Sequence, residues 1–239
     1  MIEVDNISIA SEQKTILGPV SFKLESGDFV AITGPSGSGK STLLRYLAQL
    51  HDPNLKVQGT YRYQDKAVEE YSTIELRKEI SYCFQTASLF GQTVSDNLRF
   101  PFEIRRQNFD QAKALKLLER VQLSADFLEK EINTLSGGEK QRVALVRNVL
   151  FEPKVLLLDE VTSALDTKTR HLVWEWLDEF RRESGISVVM VSHHEEEQNK
   201  ADRRIELKGQ HDEVDEQLSN DEESLESKSG SAENEEEGA

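Results

Sequence analysis

The chain has 239 residues, 37% of them hydrophobic, and a formal net charge of −15. That length buries a sizeable core in one large domain, and the order of elements points to a single domain with a helical insertion. No apolar run approaches the roughly 20 residues that span a bilayer, and Met1-Ile2-Glu3-Val4-Asp5 lacks the basic start and apolar stretch of a secretory signal. A soluble, cytosolic chain is expected.

Met1 to Val30 alternates apolar and polar residues in short runs broken by Gly18-Pro19 and Ser26-Gly27-Asp28, which predicts antiparallel strands joined by turns. Phe29-Val30-Ala31-Ile32-Thr33 reads as a compact buried strand. It runs into a glycine-rich loop and then into Ser41 to Ala48, whose apolar spacing is helical. Ile80 to Phe84 is a further strand. Its Cys83, the one cysteine of the chain, has no partner for an internal disulfide and reads as a small buried hydrophobe.

From about Thr86 to Glu152 the pattern is helical and is read as an inserted lobe. Asp110 is placed to cap a helix whose inner face carries Ala112, Leu115, Leu118 and Val121. Strand character returns at Val155 to Leu158 and at Ile186 to Val191. Between them Thr167 to Ser184 predicts an amphipathic helix stopped by Gly185, with Trp174 and Trp176 on different faces. This alternation implies a parallel sheet core.

The acidity is concentrated at the end of the chain. From Gln210 to Ala239 twelve Asp or Glu stand against one Lys, a balance of −11 that leaves −4 for the rest. That segment has too few large apolar residues to offset its ordering entropy, so a disordered, solvating tail is expected.

Gly34-Pro35-Ser36-Gly37-Ser38-Gly39-Lys40-Ser41-Thr42 matches the phosphate-loop pattern at every required position, between a strand and a helix as that motif demands. Glycines let the backbone curl so that N–H groups and a helix N-terminus face phosphate. Lys40 is expected on the β- and γ-phosphates and the Ser41 hydroxyl on Mg²⁺. Asp159 ends an apolar strand and Glu160 follows it, a pair that reads as metal support and activation of an attacking water. Leu135-Ser136-Gly137-Gly138-Glu139 is a capping-box pattern. Its two glycines cost helix stability and a cap needs neither, so close approach to a second phosphate is the better reason for them.

Together these three segments resemble the nucleotide-binding subunits of ABC transporters, over about residues 1–209. The resemblance implies an α/β P-loop NTPase fold of ABC type, with a mixed core sheet, N-terminal antiparallel strands and the helical lobe at about 86–152. It implies ATP and Mg²⁺ as ligands, with Ser41, Asp159 and Gln85 at the metal. It also implies a head-to-tail homodimer in which Ser136, Gly137 and Gly138 close over the γ-phosphate held by the other copy. Ser163-Ala164-Leu165-Asp166 matches the loop that meets the opposite subunit. Ser192-His193 matches the segment whose histidine bonds the γ-phosphate. Glu160, His193, Gln85 and Lys40 are the catalytic set so implied. Members of the family stack adenine on an aromatic residue ahead of the phosphate loop, and Ile7 to Ser11 contains none.

The expected partner is a separately encoded transmembrane permease at the inner face of the membrane, docked in a groove near Gln85, with no nucleic acid. Ser81 to Thr86, Leu89 to Leu98 and Phe100-Pro101 look like bacterial subunits described as iron exporters. Two other readings compete: a soluble ABC-type ATPase of a cytosolic assembly such as iron–sulfur cluster biogenesis, and a module that dimerises on ATP without hydrolysing it. Glu160 and His193 speak against the second.

Overall fold

The computed structural model describes residues 1–209, and the acidic segment 210–239 lies outside the described residues. Two sheets organise the chain. The first is antiparallel, in the order β2-β1-β4-β5: β1 is Ile2–Ala10, β2 Thr15–Leu24, β4 Lys56–Tyr63 and β5 Lys66–Ala67. The second is parallel, in the order β6-β7-β8-β3-β9: β3 is Phe29–Thr33, β6 Ile80–Cys83, β7 Val155–Asp159, β8 Ser187–Val191 and β9 Arg203–Glu206. The opening hairpin and the core strands lie where the alternation predicts them. The strands β4 and β9 carry weak patterns and escaped the sequence reading.

Because successive side chains of a strand face opposite ways, the parallel sheet divides the interior into two cores. Phe29 and Ala31 point into one, Val30 and Ile32 into the other. Leu156 and Leu158 join the first core, Val155 and Leu157 the second. The second core is closed by α1 (Lys40–Leu47), through Leu43, Leu44 and Leu47, and by the antiparallel sheet. The first is closed by α3 (Val94–Glu103), α4 (Gln111–Arg120) and α5 (Gly137–Val149), which lie between β6 and β7, together with α6 (Thr167–Ser184). Two short helices complete the set, α2 (Thr73–Glu79) and α7 (Glu195–Gln198).

Local chemistry places several boundaries. The Asp110 carboxylate accepts the Lys113 N–H at 2.9 Å and starts α4. Gly185, at φ 68°, ends α6 in the left-handed conformation that suits glycine. Two face assignments are corrected. The buried face of α4 is Ala114, Leu117 and Leu118, continuing to Val121, while Ala112 is exposed and Leu115 half-buried. A stripe spaced by three and four fits both sets, and packing against α5 and the following turn selected one. Trp174 and Trp176 are both buried in the same core, because α6 buries a wide arc of Val173, Trp174, Trp176, Leu177 and Phe180. Trp174 stacks on Phe29 with ring centroids 6.0 Å apart.

Cys83 is buried, and burial pushes its thiol up to about 12, so it is inert as a nucleophile at neutral pH.

Candidate functional site

Parallel strands deliver their C-terminal ends to one edge of a sheet, and open α/β sheets bind ligands there. In register, Ile32 and Asp159 both pair with Val191, and Leu158 pairs with Cys83. The segments that leave this edge are the loop from Gly34, the turn at Glu160, Ser192-His193 and Phe84-Gln85.

The phosphate loop is built as a cradle. Gly34 (φ 134°) and Gly39 (φ 89°) adopt backbone conformations open to glycine, and a Cβ at Gly39 would lie 2.6 Å from the Ile16 carbonyl oxygen. Gly39 caps α1 without any side-chain hydrogen bond, so the first N–H groups of that helix are offered outward. Lys40 folds back on the loop, donating from Nζ to the carbonyls of Gly34 at 2.9 Å and Pro35 at 2.8 Å. Burial holds its ammonium below the usual lysine range, opposed by the nearby carboxylates of Glu160 and Asp159. Pro35, Ser36 and Gly37 are exposed and Thr42 half-buried. Ser38, 2% exposed, has a hydroxyl with no partner. A buried hydroxyl left unpaired inside a curled glycine loop fits a phosphate oxygen.

Beside the loop the Ser41 hydroxyl donates to Asp159 Oδ1 at 2.8 Å. The Tyr82 hydroxyl donates to Asp159 Oδ2 at 2.5 Å and is itself reached by Arg45 Nε at 3.3 Å. Burial and the adjacent carboxylate hold the Tyr82 phenol well above its ordinary value, so it stays a donor. Ser41 and Asp159 thus present hard oxygen atoms at one point, the donor type that Mg²⁺ requires.

Glu160 occupies the left-handed region at φ 50°, an uncommon conformation for a residue with a Cβ, and its N–H donates to the Val191 carbonyl at 3.0 Å. The turn aims its carboxylate between two donors. Gln85 Nε2 donates to Oε2 at 2.7 Å and His193 Nε2 donates to Oε1 at 2.9 Å. His193 therefore meets Glu160 here, where the sequence reading had assigned it a phosphate. The amide oxygen of Gln85 is left for a metal.

The second glycine segment is arranged differently. Ser136 Oγ accepts the Glu139 N–H at 3.3 Å while Glu139 Oε2 accepts the Ser136 N–H at 2.7 Å, a complete capping box. Gly137 is exposed, and a Cβ there would meet nothing within 4 Å. A Cβ at Gly138 would lie 3.2 Å from Leu165 Cδ2. Gly137 shares a cleft of about 430 Å³ with Gln85, Lys140, Ser163 and Ala164, and no phosphate-loop residue lines it. Asp166 caps α6, accepting the Thr169 N–H at 3.0 Å; the Thr169 hydroxyl and N–H hold its carboxyl below the usual range.

The model of the ABC transporter family matches residues 17–163. The chain belongs to the ABC transporter family. A protein of Escherichia coli named "Probable iron export ATP-binding protein FetA" is 45% identical over 207 residues, 87% of this chain and 91% of that one. A sulfate/thiosulfate import ATP-binding protein, CysA of Mesostigma viride, is 41% identical over 199 residues; the alignment covers 82% of this chain but only 56% of that one. Among solved structures, a dimer of the ATP-binding cassette MJ0796 in a post-hydrolysis state, bound to ADP and Pi, is similar with a TM-score of 0.78 at 29% identity. That likeness covers 88% of this chain and 97% of the other. The fold is that of an ABC ATPase cassette, and the chain is an ATP-binding subunit of the ABC transporter type.

Three site residues lay beyond the sequence reading. Tyr82 carries no site role in the sequence, where it only belongs to the segment Ser81 to Thr86; its bond to Asp159 joins two strands distant in the chain. Gln141, buried in α5, donates from Nε2 to the Phe84 carbonyl at 2.9 Å, next to Gln85. Glu197 is the third: it is buried and accepts the hydroxyl of Ser192, the residue before His193. Among the described residues no helix is long and apolar enough to cross a membrane.

Proposed function

We propose that this ABC subunit hydrolyses ATP at the interface of a head-to-tail dimer and thereby drives a separately encoded permease, with metal export, iron in particular, as the transport activity. The reading is carried by the Gln85–Glu160–His193 arrangement, set one residue beyond Asp159, which bonds Ser41 of the phosphate loop.

Lys40 exchanges its two loop carbonyls for the β- and γ-phosphate oxygens, a stronger, charge-assisted pairing. Ser38 and the N–H groups at the start of α1 bind further phosphate oxygens. Ser41, Asp159 and Gln85 would hold magnesium, which when bound neutralises charge on the phosphates. Glu160 accepts a proton from the attacking water, and His193, released from Glu160, donates to the γ-phosphate. Ser136 and Gly137 of a second copy complete the enclosure, since Ser136 within one chain bonds only within the first turn of its own helix. Residues 86–152 act as the lobe that carries this surface. The β1–β2 turn at Ser11 to Lys14, closed by the Ser11 hydroxyl, presents no aromatic ring for adenine.

The permease reading is supported by exposed apolar side chains: Ile74 on α2, Phe90, Phe100 and Ile104 on and beside α3, and Phe84 next to Gln85 are 70%, 41%, 42%, 52% and 43% exposed. Phe90 and Phe100 touch, with ring centroids 4.9 Å apart, and exposed apolar side chains of this kind suit a protein contact. The export reading is supported by the FetA likeness, which spans nearly the whole of both chains.

Glu160→Gln tests the reading. Turnover is expected to fall about 10²–10⁴-fold, while ATP traps a dimer on a sizing column. A wild-type rate no higher than that of the variant would remove the enzyme. Expression with its neighbouring genes should bring the protein into the membrane fraction; a wholly soluble protein would favour the cytosolic assembly instead.

A further inference from the structure

Among the described residues the buried carboxylates are Asp159 and Glu197, 1% and 2% exposed. Asp159 belongs to the phosphate site. Glu197 has had no role, yet placing a carboxylate in the interior is costly unless its oxygens are satisfied. Both are. Oε1 accepts the Thr162 hydroxyl at 2.7 Å and Oε2 accepts the Ser192 hydroxyl. Arg170 of α6 brings Nε within 3.9 Å of Oε1 and reaches the Leu165 carbonyl with its other end at 3.4 Å.

The partners of Glu197 flank the reacting centre on two sides. Ser192 precedes His193, and its hydroxyl also accepts the His194 N–H at 3.0 Å; the Ser192 carbonyl accepts Gln198 Nε2 at 2.7 Å. The peptide units before and after His193 are therefore both pinned, one of them through Glu197. Thr162 stands two residues beyond Glu160 and opens the segment Ser163 to Asp166. One side chain thus holds the turn that carries His193 and the segment that follows Glu160.

We propose that Glu197 is a positioning residue: its two carboxylate oxygens couple the His193 turn to the Thr162–Leu165 segment, so that His193 is aligned with Glu160 only while both segments are seated. Anchoring α7 alone would need no second hydroxyl from a different segment. The geometry has each oxygen serving a different segment, with Arg170 joining Glu197 to the Leu165 carbonyl of one of them. The consequence for turnover rests on the proposed hydrolysis with His193; the alignment itself does not.

The test compares Glu197→Ala and Glu197→Gln in the full chain. Misalignment of a reacting group by about 1 Å costs on the order of 100-fold. Glu197→Ala is therefore expected to lower kcat about 10- to 100-fold with KM for ATP unchanged. Glu197→Gln, which keeps the volume, one acceptor and an amide N–H that the Thr162 hydroxyl can accept, should recover most of the rate. In a His193→Ala background Glu197→Ala should add no further loss. Unchanged kcat, or losses that multiply with that of His193→Ala, would overturn the proposal. Should Glu197→Ala not fold, Ser192→Ala replaces it with the same expectations. The ring resonances of His193, observed by NMR without nucleotide, should shift in Glu197→Ala and stay in place in the surface variant Glu195→Gln. If the wild type proves inactive but the shift is seen, the hydrolysis reading fails and the positioning role stands; an active wild type with no shift removes the positioning role.

Discussion

The helices α1 and α5 both start at glycines and are both read as facing phosphate, yet their first turns are finished in opposite ways. At α1 the cap is a left-handed glycine without a side-chain acceptor, Ser38 is buried and unpaired, and Lys40 rests on two carbonyls of its own loop. At α5 a reciprocal box between Ser136 and Glu139 satisfies the turn from within. A helix start with open donors gains most from an anion, whereas one that caps itself keeps its shape whether or not a ligand arrives. The difference suits a division of labour in which a monomer binds nucleotide at α1 and presents α5, already folded, to the nucleotide of another copy.

Alanine at each helix start would sharpen this contrast. Gly39→Ala combines φ 89° with a Cβ 2.6 Å from a backbone oxygen; a loss of about 1–3 kcal/mol or more is expected, together with loss of nucleotide binding, read by thermal melts and equilibrium binding. Ser136→Ala removes the cap and the hydroxyl offered to the other copy, and leaves α1 untouched. It should cost about 1 kcal/mol of stability and lower turnover while leaving nucleotide affinity of the monomer unchanged, and a weakened monomer affinity would break the division. Gly137→Ala should stabilise the fold by up to about 1 kcal/mol, since alanine is the better helix residue and its Cβ has open space. If it nevertheless lowers turnover, the glycine is there for a ligand; unchanged turnover would end that reading.

The smallest effect is in pH. The Ser136 N–H, and then the Ser136 hydroxyl, hold the Glu139 carboxyl below its ordinary value of 4.5. A carboxyl depressed in the folded state stabilises above its unfolded value and loses that contribution as pH falls through the folded one. The carboxylate's share of the box should thus be whole above about pH 4.5 and fade as pH falls through the lower folded value. Glu139→Gln should flatten the acid limb of stability slightly, because the group is only half-buried and its charge is screened by solvent. No comparable limb belongs to α1, whose cap has no carboxylate.

The legible parts of this chain are those whose partners lie close in sequence. The phosphate loop, the strand from Phe29 to Thr33, the Asp110 cap and the Gly185 stop each depend on neighbours a few residues away, and each could be read from residue type and spacing. Gln85 and His193 were found by resemblance, because a lone Gln or His carries no local signal. The buried face of α4 was misread, since its spacing admits two stripes and only the surface it packs against distinguishes them. Tyr82, Gln141 and Glu197 were missed for a related reason. Each looks ordinary in its own element and gains meaning from a partner on another: Tyr82 meets Asp159 across 77 residues, and Thr162 meets Glu197 across 35.

By itself the sequence determined that a glycine loop would follow a buried strand and open a helix, that Asp159 would end another strand, and that Ser136 and Glu139 would cap a third element. Backbone conformation and hydrogen bonds within a turn suffice for all of these. Only the tertiary structure decided that Gln85, Glu160 and His193 share a hydrogen-bonded cluster, that Tyr82 and Ser41 divide the oxygens of Asp159, and that Glu197 bridges two segments of the site. The physical reason is the parallel sheet, whose crossovers return every strand in the same direction and bring chain segments distant in sequence to one edge.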